Sequence, residues 1–422
     1  MKTSLVKDYF KSDFNNVLNK FASAQVFSNF LRLISGFLVI KFIAPELYGQ
    51  FIGVNIYVGY LVLLNLGTVN GLGREFPYEF GKNNLKFAKN LSNTVFSFCF
   101  VICIFIFLLF SILGLHNLIN SDDLVTSLIF LSYSLIGPLT LTNKHFLPVL
   151  YKTNNDFDNL SNQNIKLGVI NLFTVPLVYF YSIYGLILRA CIISTLEFLL
   201  LYFNKPYKLK LKFNYSYFKK LIKTGLPIFT LGNINPLWEN IVYNFILIVG
   251  GPLQYGLFAL SSMIMSVFNV IPSSFSQVIY PKMSIMYGQK KKVKEIILFS
   301  IKPLFFLTLI IFALTLTLYY LLPVIIPILL PKYIDGISAA QWIIFIPLVL
   351  SFNPIHNIYN VIKKQKYMFI SYILGAFVGT LFIYYHISIY DFNLIYFSQG
   401  LLLGFFFQQL LGFVLLKKII ND

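Results

Sequence analysis

The sequence predicts an all-α polytopic membrane protein of twelve transmembrane helices, arranged as two parallel-repeat six-helix lobes. Three observations lead there: apolar stretches of membrane-spanning length, basic residues gathered in every second gap between them, and a motif that recurs at about half the chain length. A helix needs about 20 apolar residues to cross the ~30 Å hydrocarbon core. Twelve such stretches can be marked, at 21–44, 49–73, 88–114, 122–150, 159–181, 184–203, 226–249, 253–280, 295–323, 337–361, 368–387 and 393–416.

Lys and Arg in short loops resist translocation, so the side that collects them is cytoplasmic. The gaps after the second, fourth, sixth, eighth and tenth stretches, with the two termini, hold 28 of the 33 basic residues. They include Arg74, Lys82, Lys86 and Lys89, then Lys144, Lys152 and Lys166, then the run from Lys205 to Lys223, then Lys282 and Lys290 to Lys294, then Lys363, Lys364 and Lys366. The other gaps hold only Lys41 and Lys332, beside Glu46, Asp122, Asp123, Asp335 and Asp391. Both termini are therefore expected in the cytoplasm of a cell with this chain in its inner membrane. Residues 1–20 carry Lys2, Lys7, Lys11 and Lys20 and read as an amphipathic interfacial segment, with no cleavable signal peptide.

Composition agrees with the bilayer. At 57% hydrophobic and 11% charged, with a mean hydropathy of +0.75, the chain is too apolar for a soluble domain. Its formal charge of +18 follows from cytoplasmic loops and their attraction to anionic lipid, so nucleic-acid binding is excluded as the reading of that charge. Cys99, Cys103 and Cys191 sit inside apolar stretches without acidic or histidine neighbours at ligand spacing, and read as packing residues. The four histidines are scattered, so no metal site is expected. Walker A, dinucleotide-binding and Gly-x-Ser-x-Gly motifs are absent, which removes the sign of an ATP-driven pump or a serine hydrolase. The short outer gaps leave no room for an external catalytic domain.

Duplication organises the rest. Pro45-Glu-Leu-Tyr-Gly-Gln-Phe51 aligns with Pro252-Leu-Gln-Tyr-Gly-Leu-Phe258 at an offset of 207, and the same offset pairs Gly81 with Gly288. Both motif copies fall on the external side, so the repeat is parallel, about an axis along the membrane normal. The expected organisation is an interfacial segment 1–20, an N-lobe 21–203, a basic cytoplasmic linker 204–225 and a C-lobe 226–422.

Charges within the apolar stretches mark where function should be sought, since each costs about 2.5–3.5 kcal/mol at the centre of a membrane helix. Arg32 lies deep in the first stretch, and Glu239 in the seventh lies at the equivalent position by the same offset of 207. They read either as a neutralising strut or as a substrate and coupling pair. Arg189 and Glu197 share the sixth stretch, where snorkelling explains Arg189 as well as a cavity role does. Lys41 and Lys302, each within about two turns of an interface, read as snorkelling. Gly71-Leu-Gly-Arg-Glu-Phe-Pro77 presents Arg74 at a cytoplasmic end, suited to bidentate binding of a diphosphate or to local pairing with Glu75 or Glu79. Prolines in many spans favour kinks that transporters use and that any polytopic protein tolerates.

The runs Asn29-Phe-Leu-Arg-Leu-Ile-Ser-Gly36, Pro45 to Phe51, Gly71 to Pro77, Leu221-Ile-Lys-Thr-Gly-Leu-Pro227, Trp238-Glu-Asn240 and Tyr255-Gly-Leu-Phe-Ala259 resemble, in order and spacing, a bacterial polysaccharide flippase of the Wzx type. That family shares its superfamily with the multidrug-and-toxin exporters and the peptidoglycan-precursor flippase. The resemblance implies two lobes in a V around a central cavity and no enzymatic activity or cofactor. It implies alternating-access transfer of an undecaprenyl-pyrophosphate-linked O-antigen or capsule repeat unit to the periplasmic leaflet. Membrane lipids, a polysaccharide polymerase and a chain-length regulator are the other partners it brings into view. Arg32, Arg74 and Arg189 are then the candidates for substrate binding, and Glu239 and Glu197 the candidates for ion coupling. Asn240 stands where an acidic residue would be expected, a departure from an ion-coupled pattern. A drug or cation antiporter of the same superfamily stays open as an alternative, and a polysaccharide polymerase or ligase is the remoter one.

Overall fold

The computed structural model describes residues 13–421 except 83, 122, 155, 290 and 291. Most of the N-terminal segment expected at the interface, with Lys2, Lys7 and Lys11, lies outside the described residues, as do Asp122, Lys290 and Lys291. All regular structure among the described residues is helical, because in hydrocarbon a helix satisfies its own backbone polar groups.

In chain order the first half contains α1 (Asp13–Phe42), α2 (Pro45–Leu61), α3 (Thr68–Gly81), α4 (Leu85–Asn120), α5 (Leu124–Leu141), α6 (Leu147–Thr153), α7 (Phe157–Phe173) and α8 (Val175–Phe203). The second half contains α9 (Tyr215–Gly288), α10 (Val293–Leu329), α11 (Ile337–Ile343), α12 (Ile346–Leu350), α13 (Asn353–His356), α14 (Ile358–Val361), α15 (Gln365–Ile389) and α16 (Leu394–Asn421). Ten helical stretches among the described residues are long and apolar enough to cross a membrane, which makes this a multi-pass membrane protein.

Ten falls short of the expected twelve: two of the stretches contain a reversal, and α7, at 17 residues, is not among the ten. At Ser182 (φ 49°, ψ −123°) α8 folds back, so that Gly185 packs on the backbone of Leu177 and Val178. At Gly251 (φ 74°, ψ −179°) α9 does the same. The rings of Tyr243 and Phe258, fifteen positions apart, approach to 5.9 Å. A straight helix would hold them about 22 Å apart. Only glycine adopts the Gly251 geometry without strain.

Several boundaries move with identifiable causes. The expected linker 204–225 is half helix: Asn214 Oδ1 accepts the Tyr217 amide at 3.1 Å and starts α9 at Tyr215. The remaining linker is tied down, with Tyr207 stacked on Phe76 at 5.8 Å and the Lys210 amide donating to Asn93 Oδ1 at 2.9 Å. The expected tenth span, 337–361, follows a 3-10 turn (Pro331–Gly336) and is itself broken into α11 to α14, with Pro347 and Pro354 starting new pieces. Lys144, counted with a cytoplasmic gap although inside the expected span 122–150, lies within the helical stretch Leu124–Thr153.

Contacts divide the chain into two compact units, Met1–Ile43 with Val54–Gly232, and Ala44–Gly53 with Asn233–Asp422. In the first unit Leu72, Phe76, Leu91, Val95, Phe146, Leu150 and Tyr151 form a core, and the Tyr151 hydroxyl donates to the Leu201 carbonyl at 2.7 Å. In the second, Met283, Ile296, Ile311, Ile358, Tyr359 and Leu416 do so, with the Tyr359 hydroxyl on the Gly412 carbonyl. Ala44–Gly53 joins the second unit because the two motif copies pack on each other: Gly49 abuts the Pro252 carbonyl, and Gly256 abuts the Pro45 carbonyl.

Candidate functional site

In the first unit a polar face on α1 meets a polar face on α7. Gln25, Ser28, Asn29, Arg32 and Ser35 recur at helical spacing on one side of α1. Ser28 Oγ donates to the Asn164 carbonyl at 2.7 Å and Ser35 Oγ to the Asn171 carbonyl at 2.6 Å. Seven residues separate the serines and seven the asparagines, with both pairs at a separation of 136, so α1 and α7 run parallel. Arg189, on the part of α8 after its reversal, reaches inward to this seam. Its Nη2 donates to Ser35 Oγ at 2.6 Å and to the Asn171 carbonyl and Oδ1 at 3.2 and 3.3 Å. Arg189 is therefore held by the seam of α1 and α7.

One turn before Ser35, Arg32 is half-buried and its Nε has no hydrogen-bond partner. Within Coulombic reach of Arg32 stands Lys144, which also feels Glu197. The sequence singled out Arg32 and Glu197 but not Lys144.

Lys144 owes its position to a break in the regular helix. Residues Thr142–Phe146 form a single π-helical turn between α5 and α6, in which the Leu147 amide bonds the Thr142 carbonyl. Pro148 has no amide to donate back to the Lys144 carbonyl, which is why the regular register fails here. Asn143 Nδ2 pins the turn by donating to the Ser194 carbonyl at 2.9 Å, one turn before Glu197.

Arg74, on α3, is exposed. Its neighbouring carboxylates are engaged elsewhere: Lys220 Nζ lies 3.0 Å from Glu75 and 2.9 Å from Glu79, and Thr224 Oγ1 donates to Glu75 at 3.0 Å.

In the second unit Glu239 is half-buried beside Tyr243, one turn along α9, and Tyr243 lies within hydrogen-bonding reach of both Glu239 and Ser262. Asn235, one turn before Glu239, keeps a buried Oδ1 without a partner. Trp238 is locked beside them, its Nε1 donating to Thr380 Oγ1 at 3.0 Å and its ring against Gly379, Gly404 and Phe405.

A family model described as polysaccharide biosynthesis protein matches residues 82–337, more than half of the 422. The chain belongs to this polysaccharide biosynthesis family. Comparison with curated proteins returns no match. Among solved structures, an inward-facing multidrug resistance MATE family transporter of the MOP superfamily is similar with a TM-score of 0.73 at 14% identity, over 93% of this chain and 94% of that one. An outward-facing MATE transporter of the same superfamily gives 0.65 at 14%, over 96% and 95%. A MOP superfamily transporter from Pyrococcus furiosus, whose binding pocket is described as reversed in polarity, gives 0.65 at 13%, over 96% and 95%. At such identities the likeness shows the fold.

Proposed function

We propose that this member of the polysaccharide biosynthesis family moves an undecaprenyl-pyrophosphate-linked O-antigen or capsule repeat unit from the cytoplasmic to the periplasmic leaflet of a bacterial inner membrane, by alternating access. The observation that carries the reading is the polar seam of α1 and α7, where Arg189 meets Ser35 and Asn171 one turn from Arg32, whose Nε has no partner. A net positive site inside the membrane suits a diphosphate, and a sugar chain tolerates the polar seam of serines and asparagines beside it. Arg32 binds the diphosphate, Arg189 braces the seam, and Arg74 meets the headgroup at the cytoplasmic mouth. A drug or cation antiporter would favour uncompensated carboxylates, and Glu197 is outnumbered.

Deleting the gene in its host tests the reading. Lipid-linked repeat units should accumulate on the cytoplasmic leaflet while surface polysaccharide disappears, and the cloned chain should restore export. Unchanged surface polysaccharide in the deletion strain, with altered resistance to cationic drugs, would instead establish the antiporter.

The topology of this reading has twelve passes, both termini inside and the basic stretch around Lys212 cytoplasmic. A cysteine placed at Lys212 should react with a membrane-impermeant maleimide only in inverted vesicles. Labelling in intact cells would overturn the topology.

Glu239 is the coupling carboxylate in this scheme, and Tyr243 holds its side chain. Glu239→Gln removes the ionisable group and should stop export at normal membrane abundance. Tyr243→Phe removes only the hydroxyl and should leave partial export. Full export by Glu239→Gln would move coupling to Glu197.

A further inference from the structure

Residues 204–214 connect α8 to α9 as a strap laid along α4 rather than a loop standing clear of it. The Tyr207 hydroxyl and Ser92 Oγ share a hydrogen bond of 2.6 Å, and the Lys210 amide donates to Asn93 Oδ1 at 2.9 Å. Phe218, in the first turn of α9, meets Phe98 with ring centroids 4.7 Å apart. Asn93 lies five residues inside the apolar stretch that opens at 88, about 7 Å along the helix. Amphipathic segments that rest on a bilayer sink to this depth, roughly 5–10 Å into the boundary between headgroups and acyl chains.

The side chains match that position. Lys208-Leu-Lys-Leu-Lys-Phe213 alternates charged and apolar residues outside any helix, the period that parts the two faces of an extended chain. Leu209 packs against the core of the first unit, while Lys208, Lys210 and Lys212 are exposed. Apolar groups are exposed between and beside the lysines: Phe203 at 75%, Leu211 at 63%, Phe213 at 50% and Tyr215 at 71%. Water would be a poor solvent for that mixture. From Phe203 to Gly225 the chain holds no acidic residue, and none of the salt bridges among the described residues involves a strap lysine. Lys89 adds a further ammonium, 5.8 Å from the centre of the Tyr207 ring.

We infer that this strap is a binding site for anionic phospholipid, with Lys89, Lys208, Lys210 and Lys212 on the lipid phosphates and Phe203, Leu211 and Phe213 among the acyl chains. Lysine suits the task because its long stem lies in the apolar layer while its ammonium snorkels to the phosphates. An acidic protein surface would answer the lysines and leave the exposed aromatic and aliphatic groups without a partner, whereas a lipid answers both with one molecule. The inference holds whatever cargo the chain moves. Lipid held there anchors the segment that leads from the first repeat into the second.

Tryptophan quenching tests it on the purified full chain in nanodiscs. Phe213→Trp places a reporter in the strap, with Trp238 and Trp342 of the parent chain measured as background. The discs hold equal amounts of phosphatidylglycerol and phosphatidylcholine, with the acyl chains of one or the other brominated. Each lysine near an anionic surface is worth roughly fivefold in association, so phosphatidylglycerol should show a local excess of about tenfold or more that shrinks at high salt. Replacing Lys208, Lys210 and Lys212 by Gln should bring the two lipids near parity, while replacing Lys363, Lys364 and Lys366 by Gln in the second unit should leave the preference intact. Equal quenching by the two lipids in the Phe213→Trp chain would overturn the inference. So would equal loss in both triple variants, which would make the preference a matter of net charge. Absence of quenching by either lipid would put the strap in water and overturn it as well. If the strap variant fails to fold, the salt series on the unaltered lysines decides, since a preference indifferent to salt does not come from them.

Discussion

Arg32→Ala is expected to abolish surface polysaccharide in a strain that depends on this chain, while Arg32→Lys retains part of it. Alanine removes both the charge and the planar fork. Lysine keeps the charge and gives up bidentate geometry. Each hydrogen bond to a charged group is worth about 1.5–3 kcal/mol, so losing two approaches a factor of a thousand or more in affinity. The Arg32 Nε is unpartnered within the protein, so the guanidinium has donor capacity left for a ligand. Surface polysaccharide is read on gels beside membrane abundance on blots. Normal export by Arg32→Ala at normal abundance would remove Arg32 from the site.

The second large effect is on stability. Gly256→Ala places a methyl group on the Pro45 carbonyl, and Gly49→Ala places one on the Pro252 carbonyl. Backbone cannot rotate aside as a side chain can, so the cost should reach or exceed the ~1–3 kcal/mol of ordinary overpacking. Both variants should show reduced membrane abundance and earlier aggregation in a heating series in detergent. Gly232→Ala is the control, because nothing lies within 4 Å of its added methyl. Equal behaviour of all three would refute the tight seam.

Much of this molecule is legible in the sequence because the bilayer imposes a long, one-dimensional signal. Apolar length marks the helices, and the paired reversals at Ser182 and Gly251 fall in the short gaps Tyr181 to Gly185 and Gly250 to Gly256 that separate expected spans. Arg32, Glu197 and Glu239 stand out for the same reason, since an ionisable residue in an apolar run is conspicuous. Lys144 was hidden because it sits among residues that read as a basic cytoplasmic gap, although Pro148 four positions on was the visible sign of a disturbed helix. The seam of Ser35, Asn171 and Arg189 was hidden for another reason: three polar residues far apart in sequence meet only through tertiary packing. The same holds for the early start of α9, where a single Asn214 cap outweighs a basic stretch that looks like loop.

The mutual glycine contact carries a consequence for how such a chain can change over generations. Exchanging the two motif copies maps Gly49 on Pro252 onto Gly256 on Pro45, so the contact has the self-complementary form of a twofold dimer interface. A single gene encoding one half would meet an identical copy of itself through this patch. Away from this patch the two segments differ in charge, with Arg32 and Glu239 separated by the same 207 positions. Their shared contact is not free in the same way, because bulk gained in either copy collides with the backbone of the other. The rest of each segment can drift apart, while this seam keeps both of its glycines or loses the fit between the two motif copies.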